Sequence, residues 1–218
     1  MAVTDLSVLG TNGTAFFGLA TGLTSPAWAN FRAITEAKNF TLDGSTYEIV
    51  SRAINPVGGT YEYDHTLFQF DTSGISNAVA AEFRINCTSI NNTPSAVLFK
   101  GNCTPPFSTD NGLNRMFNWP SSPTPYSNVV GTSISTGIVS ITLNADGISD
   151  INSGHTLQIY LIETHQANDA TAPTGTDNFR ASFDNTNLAL RVTTPEPQID
   201  YIKISNGAIK ILSGKVSL

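Results

Sequence analysis

Glu62, Asp64 and His65, with Asp71 beyond them, are the densest set of ionisable groups in a chain where only 13% of residues are Asp, Glu, Lys or Arg. On a strand, Glu62 and Asp64 project from one face roughly 7 Å apart. That separation suits a carboxylate pair or hard-cation ligands. The same pattern arises when Tyr61 and Tyr63 face a core and the acids are simply solvated. Asn144-x-Asp146-Gly147-x-x-Asp150 has the outline of a calcium loop but lacks ligands at every second position and a closing Glu. A turn with an Asx-type hydrogen bond explains it as well. His155 and His165 bracket one run, with Glu163 beside the second, yet a metal site needs a third ligand. No nucleophile elbow, His-Glu-x-x-His helix, phosphate-binding loop or dinucleotide fingerprint is present. The expectation is no catalytic residue, no metal and no cofactor.

Aromatic rings offer a different chemistry. Phe107, Phe117, Trp119 and Tyr126 lie in a stretch with five prolines, residues 101–128, beside Asn114, Arg115 and Asn118. Sugar faces stack on rings while amides and guanidinium groups meet hydroxyls, and loops on a rigid scaffold often carry binding. The competing role for Phe117 and Trp119 is to lid the core beneath them.

The elements that must position these residues read as strands and turns. Residues 1–40 form a lead-in, irregular or strand-like, with a possible short helix after Ser25-Pro26 carrying Trp28, Phe31 and Ile34. Residues 46–54, 60–65, 66–71, 80–88, 95–100, two short runs within 134–143, 156–163, 179–183 and 188–192 read as strands. Ala81, Phe83, Ile85 and Cys87 alternate with Glu82, Arg84 and Asn86 in the clearest half-buried pattern. Leu157, Ile159 and Leu161 are set against Gln158, Tyr160 and Ile162, and residues 148–152 suggest one helical turn. Turn signals between nine or ten strands predict an all-β, antiparallel, jelly-roll-like sandwich over 41–194. No βα alternation supports a doubly wound fold.

After Thr194, Pro195-Glu196-Pro197 is a stiff extended joint. Residues 198–218 then predict a β-hairpin extension: Tyr201, Ile202 and Ile204, a turn at Asn206-Gly207, and Ile209, Ile211 and Leu212. Isolated hairpins are marginal in water. This one therefore has to pack on the domain, on another copy or on a partner, by edge pairing.

Composition narrows the partners. Thr, Ser, Asn and Gly fill the gap left by missing charge, which suits pleated surfaces and turns. A net charge of −6 with 11 Lys and Arg, none clustered, argues against nucleic acid and against anionic membrane surfaces. No apolar run approaches a membrane span of about 20 residues. Met1-Ala2-Val3-Thr4-Asp5-Leu6 lacks a basic region before an apolar core, so no secretory signal is expected. Cys87 and Cys103 are too few for a disulfide framework and are read as two buried thiols, with a bridge between them as the alternative in an oxidising compartment. Sequons at Asn12, Asn39, Asn86, Asn91 and Asn102 matter only if the chain is secreted by a eukaryote, and several are expected by chance in a chain so rich in Asn and Thr.

The run His65-Thr-Leu-Phe-Gln-Phe-Asp-Thr-Ser-Gly-Ile75, followed by 80–85, resembles the DNRLRE or carbohydrate-binding-like jelly-roll modules. Gly137-Ile-Val-Ser-Ile-Thr-Leu143 with 148–154 looks like their strand and helical turn, and 179–192 like their closing strand pair. The likeness covers about residues 45–194. Asp184 stands where those modules usually have Glu, and their arginine-rich signature is missing. It implies a binding or structural role and carries no catalytic residue over. In composition the chain also resembles phage virion proteins. The expectation is a structural component of a virus particle, a decoration, fibre or tail-type protein located in the virion. Its partners would be other copies and other virion proteins, with Tyr201, Ile202, Ile204, Ile209, Ile211 and Leu212 as assembly residues. The alternative is a secreted or cell-surface carbohydrate-binding module or adhesin that meets a cell-surface glycan through Phe107, Phe117, Trp119 and Tyr126.

Overall fold

The computed structural model describes residues 1–9, 15–20, 39–42, 46–55, 60–101, 124–164, 178–196, 201–205 and 208–212. For 15–20, 39–42, 53–55, 60–65, 201–205 and 208–212 it describes the backbone alone. Along the chain run β1 (Ala2–Leu6), β2 (Ala15–Ala20), β3 (Asn39–Leu42), β4 (Thr46–Asn55), β5 (Thr60–Asp71) and β6 (Ala80–Asn91). Next come β7 (Ser95–Lys100), β8 (Thr132–Ser133), β9 (Gly137–Thr142), the helix α1 (Ala145–Asn152) and β10 (Thr156–Glu163). β11 (Asn178–Thr194), β12 (Tyr201–Ser205) and β13 (Ala208–Leu212) complete the chain. The fold is an all-β antiparallel sandwich, as expected.

The hydrogen-bonded path runs β8-β7-β10-β5-β4-β11-β6-β9. Two long strands bend it into two layers. One edge of β5 pairs with β4 over Thr60–Asp64 and then with β10 from His65 to Asp71. Its other edge takes β2 over Tyr63–Phe68. β11 pairs with β6 along most of its length, with β4 at its start and with β1 at its end. Two described strands of the expected lead-in are thus part of the sandwich: β1 pairs Ala2↔Thr194 through Leu6↔Leu190, and β2 lies on β5. Asp5 and Arg191, opposite each other in that ladder, meet through two contacts of 2.8 Å. The helix expected at Trp28, Phe31 and Ile34 lies outside the described residues.

The core sits between the layers. Phe68 and Phe70 from β5 meet Phe83 from β6 at ring-centroid distances of 5.0 and 6.2 Å, and Tyr47 packs edge-on against Phe68 at 5.2 Å. Around them lie Ile85, Ile141, Leu157, Ile159, Phe183 and Leu190, all essentially without exposed surface. β6 alternates as its sequence predicts, with Ala81, Phe83, Ile85 and Cys87 buried. β10 does not alternate, because Tyr160 and Ile162 are as buried as Leu157, Ile159 and Leu161. Leu67 of β5 and Val97 and Phe99 of β7 are buried beside them in register, outside the main cluster. Apolar residues covered on both faces produce near-continuous runs.

Three further expectations are corrected. Residues 60–71 are one strand of 12 residues, not two. The expected closing pair is one strand of 17 residues, β11, whose register with β6 jumps between Asp184 and Ala189. The residues in between bulge outward: Asp184 Oδ1 accepts from the Thr186 amide at 2.8 Å, and Asn187 takes φ 59°. The expected helical turn is the eight-residue α1. Asn144 caps it, its Oδ1 accepting from the Gly147 amide at 3.1 Å, so the calcium-loop outline is an Asx-type cap. Gly154, at φ 66°, ends the helix in the left-handed region that favours glycine. Among the described residues, no helix is long and apolar enough to cross a membrane.

Candidate functional site

Four polar side chains converge at one end of the sandwich, beside α1. Lys100 is the last residue of β7, an apolar run otherwise buried from Ala96 to Phe99. The chain returns along β7 at 124–127, where the Lys100 amide donates to the Thr124 carbonyl at 2.9 Å and the Tyr126 amide to the Leu98 carbonyl at 2.7 Å. The Asn144 amide donates to the Tyr126 carbonyl at 2.7 Å, and its side chain donates to the Pro125 carbonyl at 2.8 Å. This fixes the Tyr126 ring in the core with its hydroxyl donating to Asp150 Oδ2 on α1. Lys100 Nζ lies 2.9 Å from the same oxygen, and His155 Nε2 lies 3.8 Å from Asp150 Oδ1.

Electrostatics follow from that geometry. Desolvation pushes the Asp150 carboxyl up, but the hydrogen bonds from Tyr126 and Lys100 and the nearby Lys100 and His155 outweigh it, so the group is held below the usual carboxylate range. Burial first, and then the Asp150 carboxylate, push the Tyr126 hydroxyl far above its ordinary value. At neutral pH the cluster is therefore a carboxylate held by a neutral phenol and an ammonium. Such a closed set ties the returning loop, β7 and α1 together. Two donors, the Tyr126 hydroxyl and the Lys100 ammonium, engage the carboxylate.

Tyr126, expected as a sugar-stacking ring, is 1% exposed and has no free face; this corrects the expectation. Phe107, Phe117 and Trp119 lie outside the described residues, as do Cys103 and His165. Cys87 is a free, buried thiol whose Sγ donates to the Ser89 carbonyl at 3.4 Å, and burial raises its pKa. Glu62 and Asp64 stand opposite Arg52 and Val50 in the β4–β5 ladder, and their side chains are not among those described. Glu163 is fully buried and accepts from the Thr164 hydroxyl at 3.2 Å. Among the described residues, no three His, Cys, Asp or Glu side chains gather as a metal site. Sequence reasoning singled out Tyr126, Asp150 and His155 separately and missed Lys100, whose only signal is a lone cation closing an apolar strand.

The predicted hairpin forms, as a two-stranded sheet separate from the main one. Its register pairs Ile202↔Ile211 and Ile204↔Ile209, which places four isoleucines on one face, and Tyr201↔Leu212 and Lys203↔Lys210 on the other. The turn at Asn206-Gly207 lies outside the described residues. No family model matches this chain, and no curated protein matches it.

Proposed function

We propose that the chain is a structural subunit of a virus particle, of the phage decoration, fibre or tail kind. The sandwich serves as its rigid body and the C-terminal hairpin as its assembly element. The observation that carries this reading is the β12–β13 ladder, a separate sheet with four isoleucines on one face. A two-stranded ribbon of this kind is marginal in water and needs a surface to cover it. The closed Tyr126–Asp150–Lys100 cluster supports a body built for rigidity over one built for turnover. The test is native mass by light scattering, for the full chain and for a chain stopped after Pro197. An oligomer that falls to monomer on truncation is the expected result. An oligomer that survives truncation sinks the reading. A monomer in both forms also sinks it and brings forward the carbohydrate-binding module suggested by the DNRLRE-like pattern, now without Tyr126 among its rings.

A further inference from the structure

β9 is an edge. It pairs with β6 from Glu82↔Thr142 to Cys87↔Gly137 without a register shift, and it ends the hydrogen-bonded path. The Leu143 amide donates to the Ala81 carbonyl at 2.9 Å, and this sets the phase of the ladder. Residues 139 and 141 therefore turn their N–H and C=O groups toward β6, while Ile138, Ser140 and Thr142 turn theirs outward. Protected edges carry Lys, Pro or a bulge. Gly137-Ile-Val-Ser-Ile-Thr142 has no charged residue and no proline, and Ile138 is 52% exposed. At its Thr142 end the edge opens into a shallow groove of about 640 Å³, bordered by Val79, Ala80 and Ile148, with Val79 54% exposed.

An open edge beside an apolar groove fits an added strand with apolar side chains. This chain carries one that the main sheet does not use. Charge supports the match. Residues 198–218 hold Lys203, Lys210 and Lys215 against Asp200, a net of +2; residues 1–197 hold the other 8 Lys and Arg against 16 Asp and Glu, a net of −8, and the two add to the −6 of the whole chain. Hairpin against hairpin brings like charges together, whereas hairpin against body brings opposite ones. Pro195 and Pro197 fix their own φ and keep Thr194 and Glu196 extended, which disfavours a tight reversal onto the chain's own sheet. We propose that the β9 edge receives the C-terminal hairpin of a second copy, one hairpin strand adding to β9 and an apolar residue entering the Val79–Ile148 groove. The proposal rests on the assembly reading and names its receiving surface.

Ser140→Pro removes an outward N–H and no bond of the β6 ladder, as proline is tolerated on the open side of an edge strand. Ile138→Lys adds a gatekeeper cation at an exposed position. The expected result is that each full-length variant falls to the mass of one chain, with the circular dichroism of the unaltered protein. Mixing Ser140→Pro, whose hairpin is intact, with a chain stopped after Pro197, whose edge is intact, should restore a one-to-one complex. The truncated body keeps its core, since no residue of the described cluster lies beyond Val192. If both variants keep the oligomer that truncation destroys, the hairpin docks elsewhere and this proposal is overturned while the assembly reading stands. If the unaltered full chain is already a monomer, both fall together.

Discussion

Asp150 shows how a single carboxylate can hold three segments. Removing its charge in Asp150→Asn keeps an acceptor for Tyr126 but leaves Lys100 without its anion, at a cost of about 1–2 kcal/mol because the group is partly buried. The pH dependence has a definite sign. The folded-state carboxyl is held below its unfolded value, so its contribution is present above the unfolded pKa, near 3.8, and is lost as pH falls through the lower folded value. Urea unfolding of the two proteins should therefore differ at about pH 6, and the gap should narrow as pH falls below 3.8. A gap that does not narrow at all below that pH would mean the cost is packing and not charge. Part of this cluster was legible: Asn144 as an Asx-type cap needs only local spacing. The rest was not, since Lys100 and Asp150 are joined by strand topology. The proline-rich context of Tyr126 also reads as exposed, although its backbone bonds to Leu98 and Asn144 anchor it inside.

At the scale of elements, β6 was readable because one of its faces is buried and the other is not. β10 has both faces covered, and no alternation survives to be read. The breaks wrongly placed in β5 and β11 have a shared cause. Residues that make turns also make bulges and polar strand faces, and Asp184-Asn185-Thr186-Asn187 does so inside a continuous strand. The bulge gives a direct test, because Asn187 holds φ 59° with its side chain exposed. Asn187→Val should destabilise the fold by about 1–2 kcal/mol, since a β-branched residue resists the left-handed region, while Asn187→Gly should cost little. Equal midpoints for the two variants in thermal unfolding would show that the bulge relaxes to ordinary strand geometry.

For the whole molecule, charge separates a body from an appendage, −8 against +2, and the assembly proposed from it inherits a salt dependence. A hairpin carrying one copy onto the edge of the next is a head-to-tail contact, which closes into a ring or runs on as a filament. Either way each junction combines a screened attraction with strand pairing and apolar burial, which salt does not weaken. Raising ionic strength from about 0.05 to about 0.5 M shortens the screening length from roughly 14 to roughly 4 Å. The junction should weaken by several-fold over that range without dissociating completely, read as a rise in dissociation constant by sedimentation velocity. A junction tightened by salt would place the whole attraction in apolar contact and remove charge as the reason the hairpin prefers a neighbour's body to a neighbour's hairpin. The four-isoleucine faces would then have each other as partners, and the β9 edge would be left to some other strand.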